Sequence, residues 1–343
     1  VALCADGTLA AWGRNYGGEL GDGTTRTNRL TPVLVDRSGA LAGKTVVALA
    51  AGSHTLALCA DGDIAAWGPN WSGSLGDGTA EERSRPVLVD RSGVLAGRRV
   101  VAIACGGAHS LVLCADGTLV SWGDNDFGQL GDGSEEDQYL PVLVDMDGVL
   151  SGKSVTAIAA GPKSSYALCS DGTMAAWGLN DHGQLGFGAT SQREGRPGLV
   201  DMTGALAGKS IVEVAPGLGH CLVRTSDNNL VAWGNNFAGQ MGNGTTGGDS
   251  LVPVSVDRGG VLSRRVLTEV IGTSWSFNLV MDRSGILATW GENYYGQLGD
   301  NTMTTNRSRP VLVNSSALQA GERWLRAAAN SASAMAIVAG PVG

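Results

Sequence analysis

A Trp-Gly pair recurs at Trp12, Trp67, Trp122, Trp177, Trp233 and Trp290, at intervals of 55, 55, 55, 56 and 57 residues. A period of this size marks a repeat architecture, in which one supersecondary unit cannot bury its apolar face alone and packs against its neighbours. Residues present in every copy build the unit. Residues that carry function are therefore sought where the copies differ.

The second copy shows how one unit is built. Val46–Gly52 is a short Ala-rich apolar run, suited to the crowded innermost strand of a radial sheet. Thr55–Cys59 and Ile64–Trp67 flank Asp61-Gly62, a tight hairpin turn. After Trp67-Gly68 comes Asn70-x-x-Gly73-x-Leu75-Gly76-Asp77-Gly78, a loop whose glycines allow positive φ. Pro86–Asp90 is a fourth run, and its leading proline fits a strand start or an outer edge. Four short strands per unit, repeated about an axis, describe an all-β fold, a β-propeller of four-stranded blades. A helical solenoid would need apolar 3.6-residue periodicity over ten or more residues, and no unit has it.

No linker-like stretch interrupts the repeat, so residues 1–343 read as a single propeller domain. The chain opens at Val1-Ala2-Leu3-Cys4, on the second strand of a unit, and is expected to be a fragment that starts in mid-repeat. It ends with an inner strand over Leu325–Ala329 and a further strand near Ser333–Val338. The terminal strands can close a six-bladed ring, or belong to separate incomplete blades of a seven-bladed one.

Composition narrows the function classes. With 53 glycines and 16% charged residues the chain suits strands and tight turns. A net charge of −8 argues against a phosphate-binding surface, so nucleic acid is not an expected partner. No apolar run is long enough to span a membrane, and no membrane insertion is expected. Cys4, Cys59, Cys114 and Cys169 share one register, L-C-[AS]-D-G, and equivalent positions of neighbouring blades lie too far apart to bridge. They read as small apolar packing residues. Cys105 and Cys221 have no Cys-x-x-Cys partner, and reduced thiols weakly favour a reducing, cytoplasmic compartment.

The unit G-x-x-H-[ST]-L-x-L…D-G-x-L-x-x-W-G-x-N-x-x-G-Q-L-G-x-G is carried here by Gly106, His109, Asp116, Gly117, Trp122, Gly123, Asn125, Gly128, Gln129, Leu130 and Gly131. It resembles the repeat of the regulator of chromosome condensation family, over nearly the whole chain. The resemblance implies a seven-bladed propeller with one blade closed by both termini, which tips the blade number slightly towards seven. It also implies guanine-nucleotide exchange on a small GTPase as an alternative activity. The uniform repeats, with no long insertion, and the acidic balance depart from that pattern. Three tryptophans outside the Trp-Gly register, Trp71, Trp275 and Trp324, occupy three different repeat positions and do not cluster as a light sensor of this family requires.

His54, His109 and His220 fall in the G-x-x-H slot, with Ser164 or Ser165 near it in the fourth unit and Trp275 in the sixth. Equivalent sites on different blades are too far apart to share one metal ion, so one buried hydrogen bond to backbone per blade is expected. Together with Trp12, Trp67, Trp122, Trp177, Trp233 and Trp290 these histidines are structural repeat residues. Asp22, Asp77, Asp132 and Asp300 follow Leu-Gly and read as turn caps, since each loop offers too few carboxylates for calcium. No nucleophile elbow, phosphate loop or His-Glu-x-x-His motif is present, so no catalytic residue, metal or cofactor is assigned.

The two residues inside each N-x-x-G loop vary on an otherwise fixed frame: Tyr16-Gly17, Trp71-Ser72, Asp126-Phe127, Asp181-His182, Phe237-Ala238 and Tyr294-Tyr295. All six loops follow the same strand and are expected on one rim. The expected partner-binding residues are Tyr16, Trp71, Phe127, His182, Phe237, Tyr294 and Tyr295, rigid amphipathic side chains of the kind that dominate protein interfaces. The sequence thus points to a non-enzymatic protein-recognition propeller, expected as a monomer, with a protein partner that is neutral or basic. A competing reading is a structural module of a larger bacterial surface or secreted protein.

Overall fold

A computed structural model describes residues 1–272, 275–329 and 334–339. The structure is an all-β propeller with six blades, and its one helix among the described residues is a 3₁₀ turn at Gly204–Leu206. Five blades are complete four-stranded antiparallel sheets in sequential strand order. In the second blade the strands are Val46–Ala51, Thr55–Cys59, Ile64–Gly68 and Arg83–Leu88. The first blade holds three strands, Ala2–Leu3, Leu9–Gly13 and Arg29–Leu34.

The expectation of seven blades is not supported. At the C-terminal end Arg323–Ala329 and Ala334–Ala339 pair only with each other, as a two-stranded sheet. The third and fourth strands that would make a further blade are missing among the described residues. Ser333, expected in the last strand, lies outside those residues.

The chain divides into two compact units. One comprises Val1–Ser170, Trp177–Leu179 and Arg193–Gly198, the other Asp171–Ala176, Asn180–Gln192 and Leu199–Gly343. In the first, Thr55–Cys59 and Ile64–Gly68 are buried along their whole length, whereas the flanking first and fourth strands are mostly half-buried or exposed. Leu56, Ile64, Leu75, Val112, Val120 and Trp122 share one apolar core that runs from blade two into blade three. The second unit repeats the pattern with Leu222, Leu230, Met241, Val256, Val280 and Trp290.

The Trp-Gly period has a direct physical origin in these junctions. The Trp122 indole lies on the backbone of Gly76 in the preceding blade, where a Cβ would come within 2.7 Å of Nε1. Its N–H donates to the Ser74 carbonyl at 2.9 Å. Trp67, Trp177, Trp233 and Trp290 do the same to the carbonyls of Glu19, Gln129, Gln184 and Gln240. Each ring is wholly buried. Burying an aromatic of this size contributes on the order of 4–6 kcal/mol of transfer free energy, and the hydrogen bond removes the cost of hiding the N–H. Trp12 is only half-buried.

Candidate functional site

The N-x-x-G loops are held by a side-chain frame. In blade three the buried Asn125 accepts from the Leu130 amide at 3.0 Å and donates to the Ser134 carbonyl at 3.1 Å. Asn15, Asn70, Asn180, Asn236 and Asn293 accept from the residue five positions on in the same way. Gln129 Oε1 accepts from the Phe127 amide at 2.9 Å, and Gln184, Gln240 and Gln297 repeat that bond to His182, Ala238 and Tyr295. The loop glycine pins the far end: Gly73 has φ +77° and sits so close to the next blade that a Cβ would be 2.5 Å from Tyr139 Cα. Asp77 caps the turn below through Thr79 and Arg83. Burial alone would raise that carboxyl, but the Thr79 and Arg83 bonds outweigh it and hold it below its ordinary range.

This frame gives the two variable positions different environments. The first points to solvent in every loop: Tyr16, Trp71, Asp126, Asp181, Phe237 and Tyr294 are all exposed, Trp71 to 67%. The second packs downward as Gly17, Ser72, Phe127, His182 and Ala238, with Tyr295 the exception.

Within the first unit Tyr16 is flanked by the Arg14 and Arg26 guanidinium groups, at 5.7 and 5.1 Å from its ring centre. Phe127 is half-buried beneath Lys163, whose Nζ lies 4.1 Å over the ring. Within the second unit the His182 ring meets Phe237 edge-on at 6.4 Å and approaches Asp249 through Nδ1 at 3.0 Å. Tyr294 and Tyr295 form an edge-to-face pair at 4.9 Å. Tyr16, Trp71, Phe237, Tyr294 and Tyr295 are exposed, whereas Phe127 and His182 are half-buried.

The G-x-x-H histidines are buried, but their partner is not backbone. His54 Nε2 faces Ser110 Oγ of the next blade at 2.7 Å, His109 faces Ser165 Oγ at 2.9 Å, and His220 faces Asn278 Oδ1 at 3.0 Å. Those side chains in turn donate to the same carbonyls that receive the tryptophans, Ser74, Gln129 and Gln240. Burial pushes the His54 and His220 pKa values down to about 4 and that of His109 to about 3. Each ring is thus neutral and closed off from solvent within its junction. Cys59, Cys114 and Cys169 are buried and in no disulfide, whereas Cys4 is exposed. Sequence reasoning missed Ser110, Ser165 and Asn278: Ser110 and Ser165 directly follow the slots of their own blades, and Asn278 follows Phe277, which pairs with Gly291 as His109 does with Gly123 and so holds the slot expected for Trp275.

It also missed a charged feature. Asp124, Asp126 and Asp137 place carboxylate oxygens within 4.8 Å of one another beside Phe127. Burial raises the Asp124 pKa, with the charges of Asp126 and Asp137 adding to it against Lys163. Asp126 was legible as a variable, acidic loop residue; its approach to Asp124 and Asp137 was not.

The family model of the RCC1-like domain matches residues 1–336. The chain belongs to the RCC1-like domain family. Among curated relatives of this RCC1-like chain, human E3 ubiquitin-protein ligase HERC2 is 36% identical over 249 residues, 72% of this chain and 5% of that protein. The ultraviolet-B receptor UVR8 of Arabidopsis thaliana is 34% identical over 245 residues, 71% of this chain and 52% of the receptor. The chain therefore spans about half the length of one relative and a small part of the other. Among solved structures, yeast RCC1 (Prp20) bound to Kap60 superposes with a TM-score of 0.78 at 23% identity, covering 96% of this chain and 77% of that one. That likeness shows the fold. No helix among the described residues is long and apolar enough to cross a membrane.

Proposed function

We propose that this RCC1-like propeller is a protein-recognition module whose contact residues are the aromatic tips of the N-x-x-G loops. One observation carries the reading: the first variable position of each loop is exposed on a frame that is otherwise buried and hydrogen-bonded. Four of its six occupants are Tyr16, Trp71, Phe237 and Tyr294. Large aromatics held rigidly in water are costly to solvate and lose little entropy on binding, which is why they anchor interfaces. Yeast RCC1 carries a protein partner, Kap60, in its solved complex. The unbroken 55–57-residue spacing leaves no inserted wedge for guanine-nucleotide exchange, which ranks behind plain recognition.

The test is affinity capture with two folded baits, the native chain and one carrying Tyr16→Ala, Trp71→Ala, Phe237→Ala and Tyr294→Ala. A protein held by the first and lost by the second is expected. Equal capture by both would return these rings to loop packing.

A further inference from the structure

We infer that a cavity between blade six and the C-terminal hairpin binds a phosphorylated side chain of a protein, held by Arg283, Arg323 and Arg326. It lies at the opposite end of strand Leu287–Gly291 from Tyr294 and Tyr295, so it is a second site, separate from the aromatic tips.

The cavity has a volume of about 230 Å³, and the three arginines line it together with Trp324 and Met281. Most arginines of this chain are spent on its own carboxylates, as Arg29 on Asp22, Arg265 on Asp282 and Arg307 on Asp300. The guanidinium groups of Arg283 and Arg323 have no partner among the described residues. Arg326 stands 4.0 Å from Glu269 Oε2, which no hydrogen bond reaches. Asp282, the carboxylate in the lining, is already held by Arg265 at 2.6 Å. A guanidinium carries five N–H donors, and donors without acceptors ask for an anion.

The repeat shows that these arginines are not part of the blade frame. Arg283 donates its amide to the Val266 carbonyl, as Ala60, Ala115, Ser170 and Ser226 donate to their own first strands. Arg326 follows the strand irregularity at the place held elsewhere by Ala48, Ala102, Ala157, Glu213 and Glu269. Arg323 stands where other first strands are preceded by Thr45, Ser154, Ser210 and Val266. Arg99 repeats it in blade three, but Ala60 and Ala102 take the other two places at that junction. Among the described residues the three arginines meet only after blade six.

Three cations around one cavity exceed what a carboxylate needs, since one arginine serves Asp22 and one serves Asp300. A phosphoryl group carries about −1.5 to −2 charge and three acceptor oxygens, and guanidinium forks match its geometry. Trp324 is half-buried and packs on the core of Met281 and Leu287, so one wall of the cavity is apolar. The stem of a phosphorylated residue covers that wall, whereas a free phosphate leaves it wet. Arg283, Arg323 and Arg326 are exposed and open to a partner. A net charge of −8 argues against the extended basic surface a nucleic acid needs, and one local cavity is not such a surface.

The experiment measures fluorescence polarisation of degenerate nonapeptide mixtures whose central residue is fixed as phosphoserine, phosphotyrosine, serine or glutamate, in phosphate-free buffer. The comparison chain carries Arg283→Ala, Arg323→Ser and Arg326→Ala, each the residue of another blade at that place, so the fold is expected to bear them. At least one phosphorylated mixture should bind the native chain, and bind the triple variant roughly ten-fold more weakly. Arg283→Ala alone, on an exposed turn, makes the same comparison if the triple variant does not fold. Serine or glutamate mixtures that bind as tightly as the phosphorylated ones overturn the site, as does undiminished binding by the variants. Inorganic phosphate that displaces the peptides at equal concentration overturns a protein side chain as the ligand. The bait lacking its aromatic tips should bind the phosphorylated mixtures as the native chain does. A loss there would place the peptide on the tips and overturn the cavity.

Discussion

His109 Nε2 lies 2.9 Å from Ser165 Oγ, one blade further along the chain. Ser165 spends its own proton on the Gln129 carbonyl at 2.8 Å, so the imidazole must donate from Nε2 and keep Nδ1 as a bare lone pair. The same carbonyl accepts from Trp177 Nε1 at 2.9 Å, which closes a His–Ser–carbonyl–Trp junction between two sheets. His54 and His220 head equivalent junctions.

These junctions predict acid sensitivity. Burial places the folded-state pKa of His109 near 3 and those of His54 and His220 near 4, below the ordinary 6.5. A depressed folded pKa means that the stability is fully present above pH 6.5. It is lost as the pH falls towards the folded values, because the unfolded chain takes up protons the folded chain refuses. Each histidine then costs about 1.4 kcal/mol per pH unit. Urea unfolding between pH 6 and 4.5 should show a steep loss. His109→Gln, neutral at every pH, should make the slope shallower by about 1.4 kcal/mol per pH unit. An unchanged slope would mean that His109 does not titrate on unfolding.

The glycine that opens the histidine slot is equally committed. A Cβ on Gly106 would meet His109 Cε1 at 2.2 Å and the Gly161 carbonyl at 2.6 Å. Backbone cannot yield by that amount, so Gly106→Ala should destabilise by about 3 kcal/mol or more. Gly93 faces open space at an ordinary φ, and Gly93→Ala is expected to stay within about 0.5 kcal/mol of the native chain or to stabilise it slightly. Parallel urea melts check both. Similar losses from the two substitutions would count against steric closure at the slot.

The Trp67–Gly21 and Trp122–Gly76 contacts explain why the blade fold was legible from one recurring dipeptide. Packing between blades demands the same ring on the same glycine every time, and that demand is written as a period. Blade number was not legible. Arg323–Ala329 and Ala334–Ala339 form a hairpin by themselves, and a local pattern does not say which sheet its outer edge joins. The exposed tips were legible because Tyr16 and Trp71 vary where Asn15, Gly18, Asn70 and Gly73 do not. Ser110, Ser165 and Asn278 went unread because their partners lie 56, 56 and 58 residues away, a span no motif covers. One signal was there: each follows a blade whose slot holds histidine.

A second rule of the blade junctions alternates along the chain. Arg85, Arg196 and Arg309, each just before a strand-four proline, pair with Asp36, Asp145 and Asp257 of the preceding blade. In blade three the same position is Leu140, whose Cδ2 would lie 3.3 Å from a Cβ on Gly78, much as the Arg85 guanidinium lies against Gly23. Its acceptor already stands ready, since Asp90 Oδ1 accepts from the Ser92 amide and hydroxyl as Asp36 Oδ1 does from Ser38. Leu140→Arg should therefore stabilise the chain by about 0.5–1 kcal/mol at low salt, shrinking at high salt. Adding Asp90→Asn should abolish the gain in a double-mutant cycle. A gain that persists without Asp90 would trace to removal of an exposed leucine instead.

Trp67 and Trp71 separate architecture from recognition within five residues. Trp67 is wholly buried and donates from Nε1 to the Glu19 carbonyl at 3.1 Å, so Trp67→Phe loses a buried bond and part of a ring. It should cost about 2–4 kcal/mol in urea unfolding. Trp71 stands 67% exposed on a loop whose frame is made by Asn70, Gly73 and Asp77. Trp71→Ala should leave stability within about 0.5 kcal/mol while lowering partner affinity roughly ten-fold or more, as interface anchors do. The native chain's tryptophan emission should contain an iodide-quenchable component that Trp71→Phe reduces and that bound partner shields. If Trp71→Ala unfolds the chain as readily as Trp67→Phe, the ring is packing its own loop and the surface proposed for recognition loses its largest anchor.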